Sequence, residues 1–202
     1  MSATPPGTPA PGLRGIRAVV IGGSAGSVDA LLLLLPKLPA KLGVPVVVVV
    51  HVPAHRDSSL PRLFRSRLAV PVCEAEDKQP LANGTVYFAA PGYHLSIEAD
   101  GCFSLSCEEP VEFARPSIDV LMTSAADAYG RDLLGILLTG ANRDGASGMA
   151  AVKRRGGITV VQDPVEARAA TMPEQAIRRQ APDLVLSLQD IGQLLAHIKR
   201  CP

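Results

Sequence analysis

From about residue 16 onward the chain alternates two kinds of segment, and this alternation limits the fold more than any other feature. Short apolar runs, RAVVIG, PVVVVVH, DLLGILLTG, GITVVQ and LVLSL, each give way to a stretch of helical length, at 26–35, 58–69, 144–155, 172–180 and 190–199. Parallel strands need crossovers of about this length, so the pattern predicts βαβ units. The runs at 46–50 and 133–138 are apolar throughout instead of alternating, as expected of central strands covered on both faces. The fold class read from this is α/β, a doubly wound, mostly parallel sheet with helices on both faces. Between about 71 and 107 the segments shorten, and Asn83-Gly84 and Asp100-Gly101 signal tight turns. We read that region as an antiparallel β-hairpin excursion at one sheet edge.

Residues 1–15, rich in Pro, Gly, Ser and Thr, are too poor in apolar side chains to fold and are expected to be a disordered arm. Residues 16–202 then form one catalytic-sized domain, and 47% hydrophobic residues in a chain of 202 supply a full core. Twenty basic and 19 acidic side chains lie interspersed, leaving a net charge of +1, so no broad field toward nucleic acid or anionic lipid is present. Cys73, Cys102, Cys107 and Cys201 lack CxxC spacing and have no clustered histidines, which argues against a zinc site or a disulfide framework. No metal or cofactor is expected. The apolar runs fall far short of the roughly 20 residues of a spanning helix, and the N-terminus lacks the regions of a signal peptide. The expected location is the cytoplasm, without membrane insertion.

Open parallel sheets bind ligands beyond the carboxyl ends of their strands. Three such ends carry polar residues. Gly22-Gly23-Ser24-Ala25-Gly26 satisfies G-x-S-x-G, a turn that exposes a serine hydroxyl between strand and helix. The dinucleotide fingerprint fails because Ser24 and Ser27 fall where glycines are needed, and no Gly-Lys-Ser/Thr is present for a P-loop. A phosphate at the following helix N-terminus stays open as a minor alternative. His51 follows five valines and would emerge beside Ser24 if the strands are neighbours, placed to take the serine proton. Standing alone, a strand-end histidine more often bonds a carbonyl. His55, His94 and His197 lack this placement and are read as surface residues. Asp144, in the loop after DLLGILLTG, has two readings: an N-cap for the helix beginning at Gly145, or the carboxylate that orients His51. Three residue types of a hydrolytic triad at three strand ends outweigh the separate structural readings.

Beyond these, the chain carries Ala90-Pro91-Gly92, Arg115-Pro116-Ser117-Ile118-Asp119-Val120-Leu121, LLTGANRDGASGM and Met172-Pro173-Glu174-Gln175-Ala176-Ile177. With the serine turn and His51-Val52-Pro53, these resemble, in order over about 16–200, the catalytic domain of the chemotaxis protein-glutamate methylesterases known as CheB. LTG-x-x-x-DGA-x-GM is the most specific part. The resemblance implies hydrolysis of glutamate methyl esters on the cytoplasmic helices of chemoreceptors, releasing methanol, with deamidation of receptor glutamines in many members. It assigns Ser24 as nucleophile, His51 as base and Asp144 as orienting carboxylate. Backbone amides of Ala25, Ala141 and Asn142 are the candidate oxyanion donors, as groups flanking the serine. The order Ser, His, Asp differs from that of ordinary α/β-hydrolases.

Two departures stand out within the motifs. Family members often have Ser-Thr-Gly-Gly where this chain has Ser24-Ala25-Gly26-Ser27, and often Met where it has Ala141. Many members also carry a receiver domain in a phosphorelay. Fifteen residues cannot form one, which leaves open control by a separate receiver protein or an excised domain. Two other function classes are weighed: a catalytically silent binding module of the same fold, and a small-molecule carboxylesterase, for which a deep apolar pocket would be needed. Arg62, Arg65 and Arg67 are candidates for docking acidic receptor helices, with a solvated helix face as the simpler reading. Ser117 and Asp119 are read as helix-start capping and dipole-complementing groups, outside the catalytic set.

Overall fold

The computed structural model describes residues 15–51 and 59–198. In chain order the elements are β1 (Ala18–Gly23), α1 (Ser27–Leu34), β2 (Val46–Val50), α2 (Leu60–Arg65), β3 (Val72–Glu74), β4 (Val86–Phe88), β5 (His94–Ile97), β6 (Phe103–Ser106), α3 (Ile118–Tyr129), β7 (Leu133–Leu137), α4 (Ala146–Arg154), β8 (Ile158–Gln162), α5 (Thr171–Arg179), β9 (Leu184–Leu186) and α6 (Leu188–Ala196). Seven strands form a parallel sheet in the order β3-β4-β2-β1-β7-β8-β9. The all-apolar β2 and β7, expected from the sequence as central strands, lie inside the sheet on either side of β1. The chain leaves β1 toward β2 on one side and returns to β7 on the other, so the crevice beyond the carboxyl ends of these strands is the topological switch point.

Successive strand residues serve opposite faces. Val19 and Ile21 of β1, Val46 and Val48 of β2, and Leu134 and Ile136 of β7 pack in one cluster with α1, α2 and α6. Ala18 and Val20, Val47 and Val49, and Leu133 and Leu137 pack in the other with α3, α4, α5 and the β5-β6 hairpin. A strand buried on both sides has no reason to alternate in polarity.

The stretch from 71 to 107 is more divided than its turn signals suggested. β3 and β4 join the parallel sheet at its edge, and the antiparallel strand pair is β5 and β6, closed through Asp100-Gly101. Asn83-Gly84 does not close a hairpin: the Gly84 amide donates to the Val44 carbonyl at 3.1 Å, which sets Val86 beside Val46 of β2. Apart from Gly15, the arm expected at 1–15 lies outside the described residues.

Candidate active site

The ladder between β1 and β2 ends at Gly23 opposite Val50, and the His51 amide donates to the Gly23 carbonyl at 3.3 Å. One further step of the same register sets Ser24 against His51. The Ser24 amide donates to the Thr139 carbonyl at 2.9 Å, and its carbonyl accepts from the Ser27 amide at 2.9 Å and the Ser27 hydroxyl at 2.7 Å. The backbone at this serine is therefore pinned from both sides. Ser24 is half-buried and its hydroxyl has no partner among the described residues. Gly26, with φ 83°, turns the chain into α1 through the left-handed region that favours glycine.

His51 Nε2 lies 2.8 Å from Asp144 Oδ2. Asp144 is fully buried, and its two oxygens also accept from the Ser117 hydroxyl (2.8 Å) and the amides of Ile118 (2.7 Å), Asp119 (2.9 Å) and Gly145 (3.0 Å). Burial alone would raise its pKa. The His51 ring, the amides of Asp119 and Ile118 and the Ser117 hydroxyl outweigh burial and hold the carboxyl below its ordinary value. An ionised carboxylate only accepts, so the shared proton sits on Nε2 and Nδ1 keeps its lone pair. Nδ1 has no partner among the described residues. In the trypsin-like triad the two nitrogens have the opposite assignments.

The loop carrying Asp144 caps a helix, but not the one that follows it. The N-cap of α4 is Gly145, with no side-chain bond, whereas the Asp144 carboxylate receives the first amides of α3. Asp119 returns the arrangement. Its Oδ1 accepts from the Gly148 amide in the first turn of α4 at 2.6 Å. Burial pushes the Asp119 carboxyl up, and the nearby Asp144 charge adds to this against the opposing Gly148 amide. Close approach makes the exchange feasible: a Cβ on Gly22 would lie 2.2 Å from Ile118 Cγ2, so only glycine lets the start of α3 rest on β1.

Several residues here were not placed in the site by sequence reasoning. Ser117 does cap α3, its oxygen accepting from the Val120 amide at 3.4 Å, but it also donates to Asp144. His94, expected at the surface, is 1% exposed: its Nδ1 accepts from the Ser117 amide at 3.2 Å and its Nε2 donates to the Glu109 carbonyl at 3.1 Å. It fixes the backbone from which Ser117 reaches the carboxylate. Thr139 ties the serine turn to the loop before α5, its hydroxyl donating to the Ala25 carbonyl at 2.9 Å and accepting from the Ala169 amide at 2.9 Å. Gln162 Oε1 accepts the Thr139 amide at 2.8 Å. The sequence signal for Ser117 lay in its motif, while His94 lies in none of the motifs; the contacts of both, 27 and 23 residues away, had no local signal.

The amides of Ala25, Ala141 and Asn142 have no intramolecular acceptor among the described residues. Ala141 is exposed. His197 is exposed as expected, and His55 lies outside the described residues. Arg65 Nε donates to the Val72 carbonyl at 2.9 Å and Arg67 to the Leu63 carbonyl at 2.7 Å, so local structure accounts for both; Arg62 is exposed. No group of three or more His, Cys, Asp or Glu suited to a metal occurs among the described residues, and no described helix is long and apolar enough to cross a membrane.

Comparison with known proteins places this geometry. Residues 19–195 match the family model for CheB methylesterase. A relative from Leptospira interrogans, provisionally named protein-glutamate methylesterase/protein-glutamine glutaminase, is 45% identical over 181 residues, covering 90% of this chain and 94% of that protein. The enzyme of that name from Carboxydothermus hydrogenoformans is 38% identical over 92% of this chain but only 56% of its own length. The crystal structure of the Thermotoga maritima CheB methylesterase catalytic domain superposes with a TM-score of 0.86 at 32% identity, covering 91% of this chain and 99% of that one. With sequence and architecture in agreement over nearly the whole described chain, the protein belongs to the CheB methylesterase family.

Proposed function

We propose that this chain is a serine hydrolase that removes methyl esters from glutamate side chains of chemoreceptors in chemotaxis adaptation, with Ser24, His51 and Asp144 as its triad. The observation that carries this reading is the 2.8 Å contact from His51 to a buried, ionised Asp144, one register step from a serine whose hydroxyl has no partner among the described residues. Ser24 Oγ attacks the ester carbonyl as its proton passes to His51 Nδ1. The imidazolium so formed is stabilised by the Asp144 carboxylate. The C–O bond to methoxide then breaks as the same proton moves to the leaving oxygen, releasing methanol. Water attacks the acyl-serine with His51 again as base, and collapse frees glutamate and restores Ser24. The unused amides of Ala25, Ala141 and Asn142 are the donors we assign to the oxyanion. A glutamine amide would follow the same course with ammonia as the leaving group, in keeping with the double name of the relatives.

This reading places the protein in the cytoplasm beside receptor helices. The residues that form the catalytic domain are then 16–202. Methanol release from methylated chemoreceptor membranes tests it. Wild type should release methanol, and Ser24→Ala, His51→Ala and Asp144→Asn should each lose the activity while keeping the wild-type circular dichroism spectrum. Full activity in the Ser24→Ala variant would overturn the assignment.

A further inference from the structure

Beside the loop that carries Asp144, an open polar cleft of about 520 Å³ lies between the first turn of α4, the end of α5 and Glu112. Its walls present Arg143, Arg178 and Arg179 with Ser147 and Gln175, against the single carboxylate of Glu112. Arg143 is paired to Glu112 at 2.6 Å, and Arg178 to Glu174 on its own helix at 3.3 Å. Arg179 has no carboxylate partner among the described residues. The helix dipole accounts for arginines at the end of α5, but not for Arg143 on the opposite wall. Adjoining the cleft, Phe113 is 100% exposed, and both Glu112 (φ 50°) and Phe113 (φ 64°) occupy the left-handed region. The Glu112 carbonyl is held by Asn142 Nδ2 at 3.4 Å and its carboxylate by Arg143, so this unfavourable backbone is maintained by two neighbours of Asp144. A surplus of cations beside a fully exposed aromatic is the composition of a docking rim for an anionic partner.

We propose that this cleft docks free glutamates of the receptor that neighbour the scissile ester, so that affinity rises as the surrounding sites lose their methyl groups. The inference rests on the esterase reading for the identity of the partner, and on the charge of the cleft for the contact. Each turnover replaces a neutral ester by a carboxylate, which adds an anion to the surface the cleft meets. Exposed charges act this way mainly at low ionic strength.

The test uses Ser24→Ala protein and a purified chemoreceptor cytoplasmic fragment with either Glu or Gln at all methylation positions. The Glu fragment should bind about tenfold more tightly than the Gln fragment at low salt, and the gap should close at about 0.5 M salt. Adding R178E and R179E should abolish the preference, and R178Q with R179Q should reduce it. Equal binding of the two fragments, or a preference that survives the charge reversal, overturns the proposal. The measurement involves no hydrolysis, so an inactive wild type would sink the esterase reading without altering this result.

Discussion

In the proposed triad the Asp144 carboxylate would join catalysis to folding, because the group that bonds His51 also holds the start of α3. Replacing it with Asn puts a donor where four donors besides the ring already converge. We expect Asp144→Asn to lower kcat by about 10⁴, the scale seen when a triad carboxylate becomes an amide, and to cost about 1–3 kcal/mol at neutral pH. The pH dependence of that stability has a definite sign. The folded pKa of Asp144 lies below that of an unfolded aspartate, near 3.9, so its stabilisation is complete above that value and is lost as pH falls through the folded one. Acid unfolding followed by far-UV circular dichroism should therefore be less steep below about pH 4 in Asp144→Asn than in wild type. Ser117→Ala should cost about 1 kcal/mol as a lost cap and move the acid limb of the kcat/KM profile upward, which a cap with no role at the carboxylate would leave in place. Ser24 and His51 were legible as candidates because each directly follows a strand, a position that the apolar runs mark, and Asp144 because it lies in the loop after one. Ser117 was not, because a local capping rule already explained it and nothing local points to a carboxylate 27 residues on.

Between elements, the decisive contact is the seat of α3 on β1. Gly22→Ala would drive a methyl into Ile118 Cγ2, at 2.2 Å, in a fully buried position, and overpacking of this kind costs about 1–3 kcal/mol. Any outward shift of α3 also withdraws the amides of Ile118 and Asp119 from Asp144, so esterase activity should fall along with stability. Ile118→Ala alone costs about 2–5 kcal/mol as a cavity, yet it removes the offending Cγ atoms. The double variant should be more stable than the sum of the single losses by at least about 1 kcal/mol in denaturant titrations. Simple additivity would mean that the close approach is not why glycine stands at 22. At this scale the parallel core was legible from the alternation of apolar runs with helical stretches, whereas β3 and β4 were not. Each has only three residues, too few for a pattern, and their pairing partners are set by contacts such as Gly84 to Val44 that no local signal encodes.

Across the whole molecule, the sheet divides the labour between its faces. The candidate site draws its carboxylate, its capping hydroxyl and the His94 support from the side packed by α3, α4 and the β5-β6 hairpin, while α6 lies on the other side and buries Ile191, Leu194 and Leu195. Stability and catalysis should therefore separate by face. Leu195, fully buried on the α6 side, and Met122, fully buried in α3, are both large side chains whose truncation to Ala costs about 2–5 kcal/mol. Leu195→Ala should lower the unfolding midpoint while kcat/KM on receptor esters, measured well below that midpoint, stays within about twofold of wild type, since sites that share no partners act independently. Met122→Ala opens a cavity in the cluster that seats α3 on the sheet, and α3 carries Asp119, which the Gly148 amide anchors in the reciprocal cap. Its kcat should fall by about tenfold or more under the same conditions, because an orienting carboxylate displaced by a fraction of an ångström no longer holds the imidazole in line with the serine. Equal kinetic losses in the two variants would show that the sheet transmits packing changes between its faces, and that the site depends on the whole core instead of on the seat of α3.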